Sequence, residues 1–205
     1  MIQSEGNDRW VAEFFNYKKN GYFVEGGATV FNSSAKKLEK ELDWNGICVS
    51  PNKDMCDMLD RKNVENAALF SHDGEVDFLS VPQGTFKNTE NGLVDLSYMS
   101  AVSGLEYFDL SDVATLQKVK SITLETLLDK YNAPKVIDYL GLDIEGSEYE
   151  VLKVFPFDKY EILTMTIENS DKYQDFIESK GFIRVDNPYS KVKRDGCYIN
   201  RIFRS

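Results

Sequence analysis

The sequence predicts an α/β fold, namely a doubly wound, mostly parallel sheet of about seven strands with helices on both faces. Apolar strand-like segments alternate with helix-like segments at short intervals along the chain. The strand-like segments are apolar throughout rather than at every second position, which is typical of strands that are buried on both faces. Near the C-terminus, two apolar segments are separated by a short polar loop, which predicts an antiparallel strand pair.

The first part of the chain is predicted to alternate helices with strands. A helix over residues 8–20 begins at Asp8, a candidate N-cap, and places its apolar side chains at helical spacing. Ser33 or Ser34 would cap the second helix, which continues to Leu42. A third helix is predicted over residues 53–61, and strands are predicted over residues 22–24, 46–49 and 64–69.

Residues 81–117 interrupt this alternation, because they are rich in glycine, serine and threonine and show little periodicity. A long irregular segment inside a compact domain more often has a function than serves only as a connection. We therefore interpret residues 81–117 as a lid or a substrate-binding segment. The alternation then resumes with helices over residues 123–131, 147–154 and 171–180, strands over 136–142 and 162–167, and the terminal pair over 182–185 and 197–203.

The composition is that of a globular protein, and the length of 205 residues favours a single domain over residues 1–205. The net charge of −10 repels phosphate backbones and anionic lipids, so we expect neither nucleic acid nor a membrane surface as a partner. Cys48, Cys56 and Cys197 are too scattered for a disulfide framework or a zinc site and are interpreted as reduced thiols. Because no apolar run reaches about 18 residues and no signal pattern is found, a cytoplasmic location is expected.

The turn after the first predicted strand is a candidate ligand site. In an open α/β sheet, ligands bind beyond the carboxyl ends of the strands, close to the point where the strand order reverses. Gly26 and Gly27 would let a ligand approach the backbone there, and the N-terminus of the next helix favours an anionic group. A tight turn with two glycines can equally be structural, and both interpretations remain open.

Carboxylates are concentrated after the strand predicted over residues 136–142. Asp143, Glu145 and Glu148 follow it at short spacing, and their mutual repulsion costs stability unless a cationic group binds there. We interpret Asp143 as functional, Glu145 as capping the following helix, and Glu148 as a solvated residue of the first helical turn.

Glu168 and Asn169 follow the next predicted strand. If the two strands are neighbours, Asp143, Glu168 and Asn169 converge at one edge of the sheet, and such hard oxygen ligands suit Mg²⁺. A hydrogen-bonded polar cluster without a metal is the alternative, which the sequence leaves open. His72, the single histidine, lies in a polar turn and is interpreted as solvated, as is the basic run 191–194.

Several blocks of the sequence together resemble one enzyme family. They are GYFVEGGA with NSSAKKLEKELDWNGICVSPN, NAALFSHDGEVDF, VIDYLGLDIEGSEYEVLK and MTIEN, and their order and spacing are similar to those of FkbM-type S-adenosylmethionine-dependent methyltransferases. The resemblance extends from around Gly21 to the C-terminus. It implies the Rossmann-like class I methyltransferase fold, S-adenosylmethionine as methyl donor, and a hydroxyl of a sugar, glycan or small natural product as acceptor. It also implies that the chain can be fused to, or associated with, a glycosyltransferase.

The resemblance assigns donor-binding roles to residues at the first strand ends. Glu25 and Gly27 would shape the methionine site, and Asp143 would face the methyl group and the acceptor. The complete predicted donor set comprises Glu25, Gly26, Gly27, Asn32, Ser33, Ser50, Asn52, Asn66 and Ala67. The predicted catalytic residues are Asp143, Glu145 and Glu168. The same strand ends resemble the Mg²⁺ site of catechol-type O-methyltransferases, which would place a divalent cation on Asp143, Glu168 and Asn169.

Two departures from the family pattern bear on donor binding. The first turn lacks the acidic-glycine pair that the family carries after the position of Ala28. Ser50 stands where the family usually has an acidic residue that binds the ribose hydroxyls, and a neutral hydrogen bond in place of a charged one costs about 1–2 kcal/mol, or roughly tenfold in affinity. A methyltransferase fold that only binds ligands is therefore an alternative. A nicotinamide-dependent oxidoreductase is a weaker one, because no G-x-G-x-x-G turn follows the first strand.

The sequence indicates the charge of the acceptor but not its chemical identity. Because the predicted cleft holds several carboxylates, we expect a neutral or cationic acceptor rather than an anionic one. Two roles are open for the aromatic residues of the segment 81–117. They would stack on the face of a sugar acceptor, or they would pack the segment onto the core. These residues are Phe86, Tyr98, Tyr107 and Phe108.

Overall fold

The computed structural model describes residues 6–30, 33–89, 92–97, 99–107, 109–190 and 195–204. Within these ranges the strands are β1 (Tyr22–Gly26), β2 (Asn45–Ser50), β3 (Val64–Asn66), β4 (Ala68–Leu69), β5 (Gly74–Ser80), β6 (Phe86–Thr89), β7 (Gly92–Asp95), β8 (Ala101–Val102), β9 (Thr115–Ile122), β10 (Val136–Leu142), β11 (Glu161–Ile167), β12 (Phe182–Val185) and β13 (Gly196–Asn200). The α-helices are α1 (Asn7–Phe14), α2 (Lys36–Leu42), α3 (Lys53–Met58), α4 (Leu124–Lys130), α5 (Glu148–Val154) and α6 (Gln174–Ser179). No helix in these ranges is long and apolar enough to cross a membrane.

A seven-stranded, mostly parallel sheet forms the centre of the structure, as the sequence predicts. Its strand order is β12-β13-β11-β10-β1-β2-β3. The five strands from β11 to β3 in this order pair parallel to one another. Strand β13 pairs antiparallel with both β11 and β12.

The register of the central strands brings their carboxyl ends to one level. Gly26, at the end of β1, lies opposite Leu142 of β10, and Leu142 lies opposite Ile167 of β11. Because β2 lies on one side of β1 and β10 on the other, the strand order reverses beside β1. The residues that follow these strands therefore meet at a topological switch point, where open α/β sheets bind ligands.

The core lies on both faces of the main sheet, because neighbouring residues of a strand point to opposite faces. One cluster contains Val24 and Leu140 together with apolar residues of α4, α5 and α6. The other contains Phe23 and Tyr139 together with apolar residues of α1 and α2. Helices therefore cover both faces, which explains why these strands are apolar throughout.

Residues 68–122 differ from the prediction, because they contribute the strands of a second sheet. Its strand order is β4-β9-β5-β8, and β6 and β7 form a separate hairpin. The segment 81–117, which was expected to be irregular, contains β6, β7, β8 and the beginning of β9. The strand predicted over residues 64–69 breaks at Ala67, so that β3 stays in the main sheet and β4 joins the second. Most side chains of β9 are exposed, and no apolar alternation marks it as a strand.

Several element boundaries also differ from the prediction. Helix α1 ends at Phe14 rather than at residue 20, because Asn16 and Tyr17 adopt positive φ angles. Its N-cap position is held by Gly6, and Asp8 is buried in the first turn. Helices α3 and α6 are shorter than predicted, and β13 gives way to a 3₁₀ turn before residue 203. The ends of β10 and β11, at Leu142 and Ile167, lie where the sequence predicts them.

Candidate functional site

Two cavities meet at the switch point of the main sheet. The apolar cavity is lined by residues that include Val49, Pro51, Met55, Ala67, Leu69 and Phe78. The polar cavity is lined by residues that include Ser33, Ser34, Glu168, Tyr189, Ser190 and Asp195. Gly27 and Asp143 border both cavities. The arrangement can therefore accommodate one elongated ligand that passes these two residues.

Gly27, at the boundary of the two cavities, has no room for a side chain. Its backbone has a left-handed φ of +78°, and a Cβ atom would lie 1.7 Å from the carbonyl oxygen of Asp143. The backbone N–H of Asp143 donates to the carbonyl oxygen of Gly26 at 3.2 Å, and the N–H of Gly27 donates to that of Val49 at 3.0 Å. Glycine is thus required where the ends of β1, β2 and β10 approach each other.

Glu25 is buried near the end of β1, where it borders the polar cavity. Its Oε1 accepts a hydrogen bond from the backbone N–H of Ser34 at 2.6 Å. Its Oε2 accepts from the hydroxyl of Ser33 and from Nη1 of Arg61, each at 3.0 Å. Because protein donors engage both oxygens, Glu25 fixes the turn before α2.

Arg61 is a residue of this site that the sequence analysis did not identify. Its buried guanidinium forms ion pairs with both Glu25 and Glu39. A buried ion pair holds only when good geometry and hydrogen bonds offset the loss of hydration, and here the guanidinium holds Glu25 in its place below the turn. Arg61 lies 36 residues from Glu25 in the sequence, and nothing in its immediate neighbourhood marks it as a partner.

The predicted donor residues do not all reach the cavities. Ser50, Asn52 and Ala67 line the apolar cavity, while Gly26 and Ser33 line the polar one. Asn66 is not among the described residues that line either cavity, and its side-chain amide donates to the carbonyl oxygen of Ser50 at 3.0 Å. Asn66 therefore ties β3 to β2. The predicted residues that lie outside the described ranges are Asn32, Tyr98, Phe108 and the run 191–194.

Asp143, Glu145 and Glu168 form a carboxylate cluster at the ends of β10 and β11. One oxygen of each residue lies within 4.8 Å of the others, which is compatible with a shared cation. Asn169 lies beside the cluster and donates its amide N–H to Oε1 of Glu168 at 3.1 Å. Burial and the neighbouring carboxylates raise the pKa of Glu168 well above its usual range. The cluster therefore favours binding a proton or a cation.

Glu148 is not the solvated residue that the sequence predicts. Its side chain is 0% exposed and accepts hydrogen bonds from the backbone N–H groups of Ile144 at 2.9 Å and Gly146 at 3.1 Å. The hydroxyl of Tyr107 donates a third hydrogen bond at 3.0 Å. The N-cap position of α5 is held by the residue before Glu148, not by Glu145 as predicted. The prediction was wrong because Glu145 and Gly146 have positive φ angles, which place the loop amides over the first helical turn.

The buried Glu148 makes stability depend on pH. Burial raises its pKa to about 7 from an ordinary value of 4.5, so the folded protein binds this proton more readily than the unfolded chain. The contribution to the free energy of unfolding is therefore full below pH 4.5, and it should decrease by on the order of 3 kcal/mol as pH rises to about 7. Urea unfolding from about pH 5 to pH 8 measures this decrease. Glu148→Gln should flatten it, and an unchanged pH dependence in that variant would contradict the assignment.

The strand order and the site together define the class of protein. A seven-stranded sheet in which only β13 is reversed, with a glycine turn after β1 and carboxylates after β10 and β11, forms a methyltransferase-like α/β fold. The chain matches the model of the FkbM methyltransferase domain over residues 18–187, and it belongs to that family, as predicted. Membership in this family supports methyltransferase activity. Searches of curated proteins and of solved structures found no match.

Proposed function

We propose that the protein is an S-adenosylmethionine-dependent O-methyltransferase that acts on a hydroxyl of a sugar, glycan or other small natural product. The observation that carries this proposal is the pair of cavities that meet at Gly27 and Asp143. An apolar cavity beside a polar one suits a donor with a flat adenine ring at one end and a charged amino-acid group at the other. We also propose a cytoplasmic location and a fused or associated glycosyltransferase as the source of the acceptor.

The chain offers suitable groups to both ends of this donor. The apolar cavity would take the adenosine part, because Val49, Leu69 and Phe78 offer an apolar lining to a flat ring. Lys36 and Lys37 line the polar cavity beside Ser33, where they would attract the donor carboxylate. The hydroxyl of Ser50 would make one hydrogen bond to the ribose, so we expect an affinity roughly tenfold below that of a site with a carboxylate there.

The chain's contribution to methyl transfer would be alignment and proton acceptance. A bound donor supplies an electrophilic methyl group, and displacement requires the acceptor oxygen to be in line with the methyl carbon and the sulfur. Asp143 borders both cavities and would accept the proton of the acceptor hydroxyl as a general base. Glu168, whose pKa is raised by burial and by neighbouring carboxylates, would keep a proton of its own and so leave Asp143 free to act as the base.

The carboxylate cluster also fits a divalent cation such as Mg²⁺. Its oxygens lie within 4.8 Å of one another, and carboxylate oxygens are the ligands that hard cations prefer. Asp143, Glu145 and Glu168 would hold the ion, with Asn169 supporting Glu168 through its amide. A bound cation would lower the pKa of the acceptor hydroxyl. We therefore propose that methyl transfer depends on a divalent cation.

A ligand-binding module without catalysis is the second candidate function. Two observations favour it, namely the serine at position 50 and the full engagement of Glu25 by protein donors. Both reduce the number of charged groups that the chain presents to a donor. The two candidates differ in turnover and in the strength of donor binding.

Calorimetric titration with S-adenosylmethionine, S-adenosylhomocysteine and NAD tests the proposal. We expect both sulfur compounds to bind and NAD to bind more weakly or not at all. Absence of binding to both sulfur compounds at millimolar ligand would reject the methyltransferase, and tighter binding of NAD would support an oxidoreductase.

A turnover assay then distinguishes an enzyme from a binding module. It measures the formation of S-adenosylhomocysteine with neutral sugars, amino sugars and sugar phosphates as acceptors. We expect turnover with the neutral or amino sugars, because the cavity carboxylates repel phosphates.

A further inference from the structure

We propose that Tyr107 and Glu148 form a positioning pair that couples one wall of the apolar cavity to the carboxylate cluster. This wall segment, residues 99–107, includes Ser100 and Val102 among the residues that line the apolar cavity. The cluster lies on the loop between β10 and α5, which we call the carboxylate loop (residues 143–147). The inference rests on the proposed function, because it concerns how that site is assembled.

The carboxylate loop has a backbone conformation that needs external support. Glu145, a member of the cluster, has a φ of 53°, and Gly146 has a φ of 112°. A non-glycine residue with left-handed backbone persists only where its surroundings hold it there, and such residues concentrate at functional sites. The orientation of the Glu145 carboxylate toward Asp143 and Glu168 therefore depends on whatever fixes this loop.

Glu148 provides that support from below the loop. Its carboxylate accepts hydrogen bonds from the N–H groups of Ile144 and Gly146, which flank Glu145 on both sides. Glu148 belongs to α5, and its side chain is buried, so the loop is attached to a packed element of the core. Glu148 is not a member of the carboxylate cluster, and its hydrogen bonds to the loop go to backbone N–H groups.

Tyr107 extends the same support to the wall segment. Its hydroxyl donates to Oε2 of Glu148 at 3.0 Å, and the ammonium of Lys172 lies 5.2 Å from the centroid of its ring. Two residues earlier, the carbonyl oxygen of Leu105 lies so close to Gly146 that a Cβ atom there would be 2.0 Å from it. The wall segment and the carboxylate loop are thus in direct contact at two points. A displacement of one is expected to move the other.

Loss of the Tyr107 hydroxyl should therefore disturb the reacting geometry more than donor binding. The adenosine part of the donor would also contact Val49, Ser50 and Ala67 at the ends of β2 and β3, which the Tyr107–Glu148 contact does not hold in place. Misplacement of a catalytic group by about 1 Å can cost a hundredfold in rate. For Tyr107→Phe we expect kcat to fall roughly 10- to 100-fold, with the donor Kd within about twofold of the wild type.

The test compares Tyr107→Phe with the matched control Tyr160→Phe in the full chain. Tyr160 is buried, and its hydroxyl likewise donates to a carboxylate, that of Asp129 at 2.5 Å, but it lies at the opposite end of β11. The readouts are kcat with the sugar acceptor found active, the donor Kd from calorimetry, and hydrogen exchange at the amides of Ile144 and Gly146. Exchange at these amides should be roughly tenfold faster in Tyr107→Phe and unchanged in Tyr160→Phe.

Glu148→Gln provides a second variant, which should change kcat and amide exchange in the same direction as Tyr107→Phe. The proposal is overturned if Tyr107→Phe resembles Tyr160→Phe in both exchange and kcat, or if the donor Kd changes as much as kcat. If the wild type methylates none of the acceptors, the proposed function fails. The exchange measurement still decides whether Tyr107 and Glu148 hold the carboxylate loop.

Discussion

Alanine in place of Gly27 is expected to weaken S-adenosylmethionine binding roughly 100-fold or more. The added Cβ atom would lie 1.7 Å from the carbonyl oxygen of Asp143, so the ends of β1 and β10 must separate. Overpacking costs about 1–3 kcal/mol, and a left-handed φ adds about 1–2 kcal/mol for a non-glycine residue. Since each 1.4 kcal/mol corresponds to a tenfold change in affinity, a distortion of this size at the boundary of both cavities should remove most donor binding. Calorimetry measures the affinity, and urea unfolding measures the accompanying loss of stability.

Gly181→Ala is the matched control for this prediction. Gly181 also has a left-handed φ, of +94°, but a Cβ atom there would meet nothing within 4 Å. It connects α6 to β12, away from both cavities. We expect this variant to lose about 1–2 kcal/mol of stability through backbone strain alone, with unchanged donor affinity. Equal donor affinity in the two variants would show that the close approach at Gly27 is not part of the donor site.

The main sheet could be predicted from the sequence because its central strands are buried on both faces. Segments such as GICV and IDYLGL are apolar throughout, and only a strand covered by helices on both sides needs such a composition. The second sheet could not be predicted in the same way. Strand β9 exposes most of its side chains, and β6 and β7 pair only with each other. Their sequences therefore carry neither an apolar run nor a regular alternation.

The outline of the site could be predicted because it follows from topology. The carboxyl ends of parallel neighbouring strands share one edge, so residues after β1, β10 and β11 must lie close together. The supporting residues could not be predicted. Arg61 is 36 residues from Glu25, and Tyr107 is 41 residues from Glu148, so each pairing exists only in the folded chain. Glu148 was misassigned because the turn at Glu145 and Gly146 is not evident from residue types alone.

Asp143→Asn is expected to reduce kcat by about 10²- to 10⁴-fold, the range for loss of a general base, while donor affinity stays within about twofold. The asparagine keeps the shape of the side chain, and its backbone contacts with Gly26 and Gly27 are unaffected. Asp8→Asn is the matched control, because Asp8 lines the same polar cavity and its carboxylate is not a member of the cluster. A comparable loss in both variants would mean that the overall negative charge of the cavity matters, and not the position of Asp143.

Removal of divalent cations with a chelator distinguishes the two proposed roles of Asp143, which are metal ligand and general base. If the cluster holds a divalent cation, excess EDTA should reduce wild-type turnover to the level of Asp143→Asn, and added Mg²⁺ should restore it in the wild type alone. Turnover that persists in EDTA would disprove the metal proposal and assign proton acceptance to Asp143 directly.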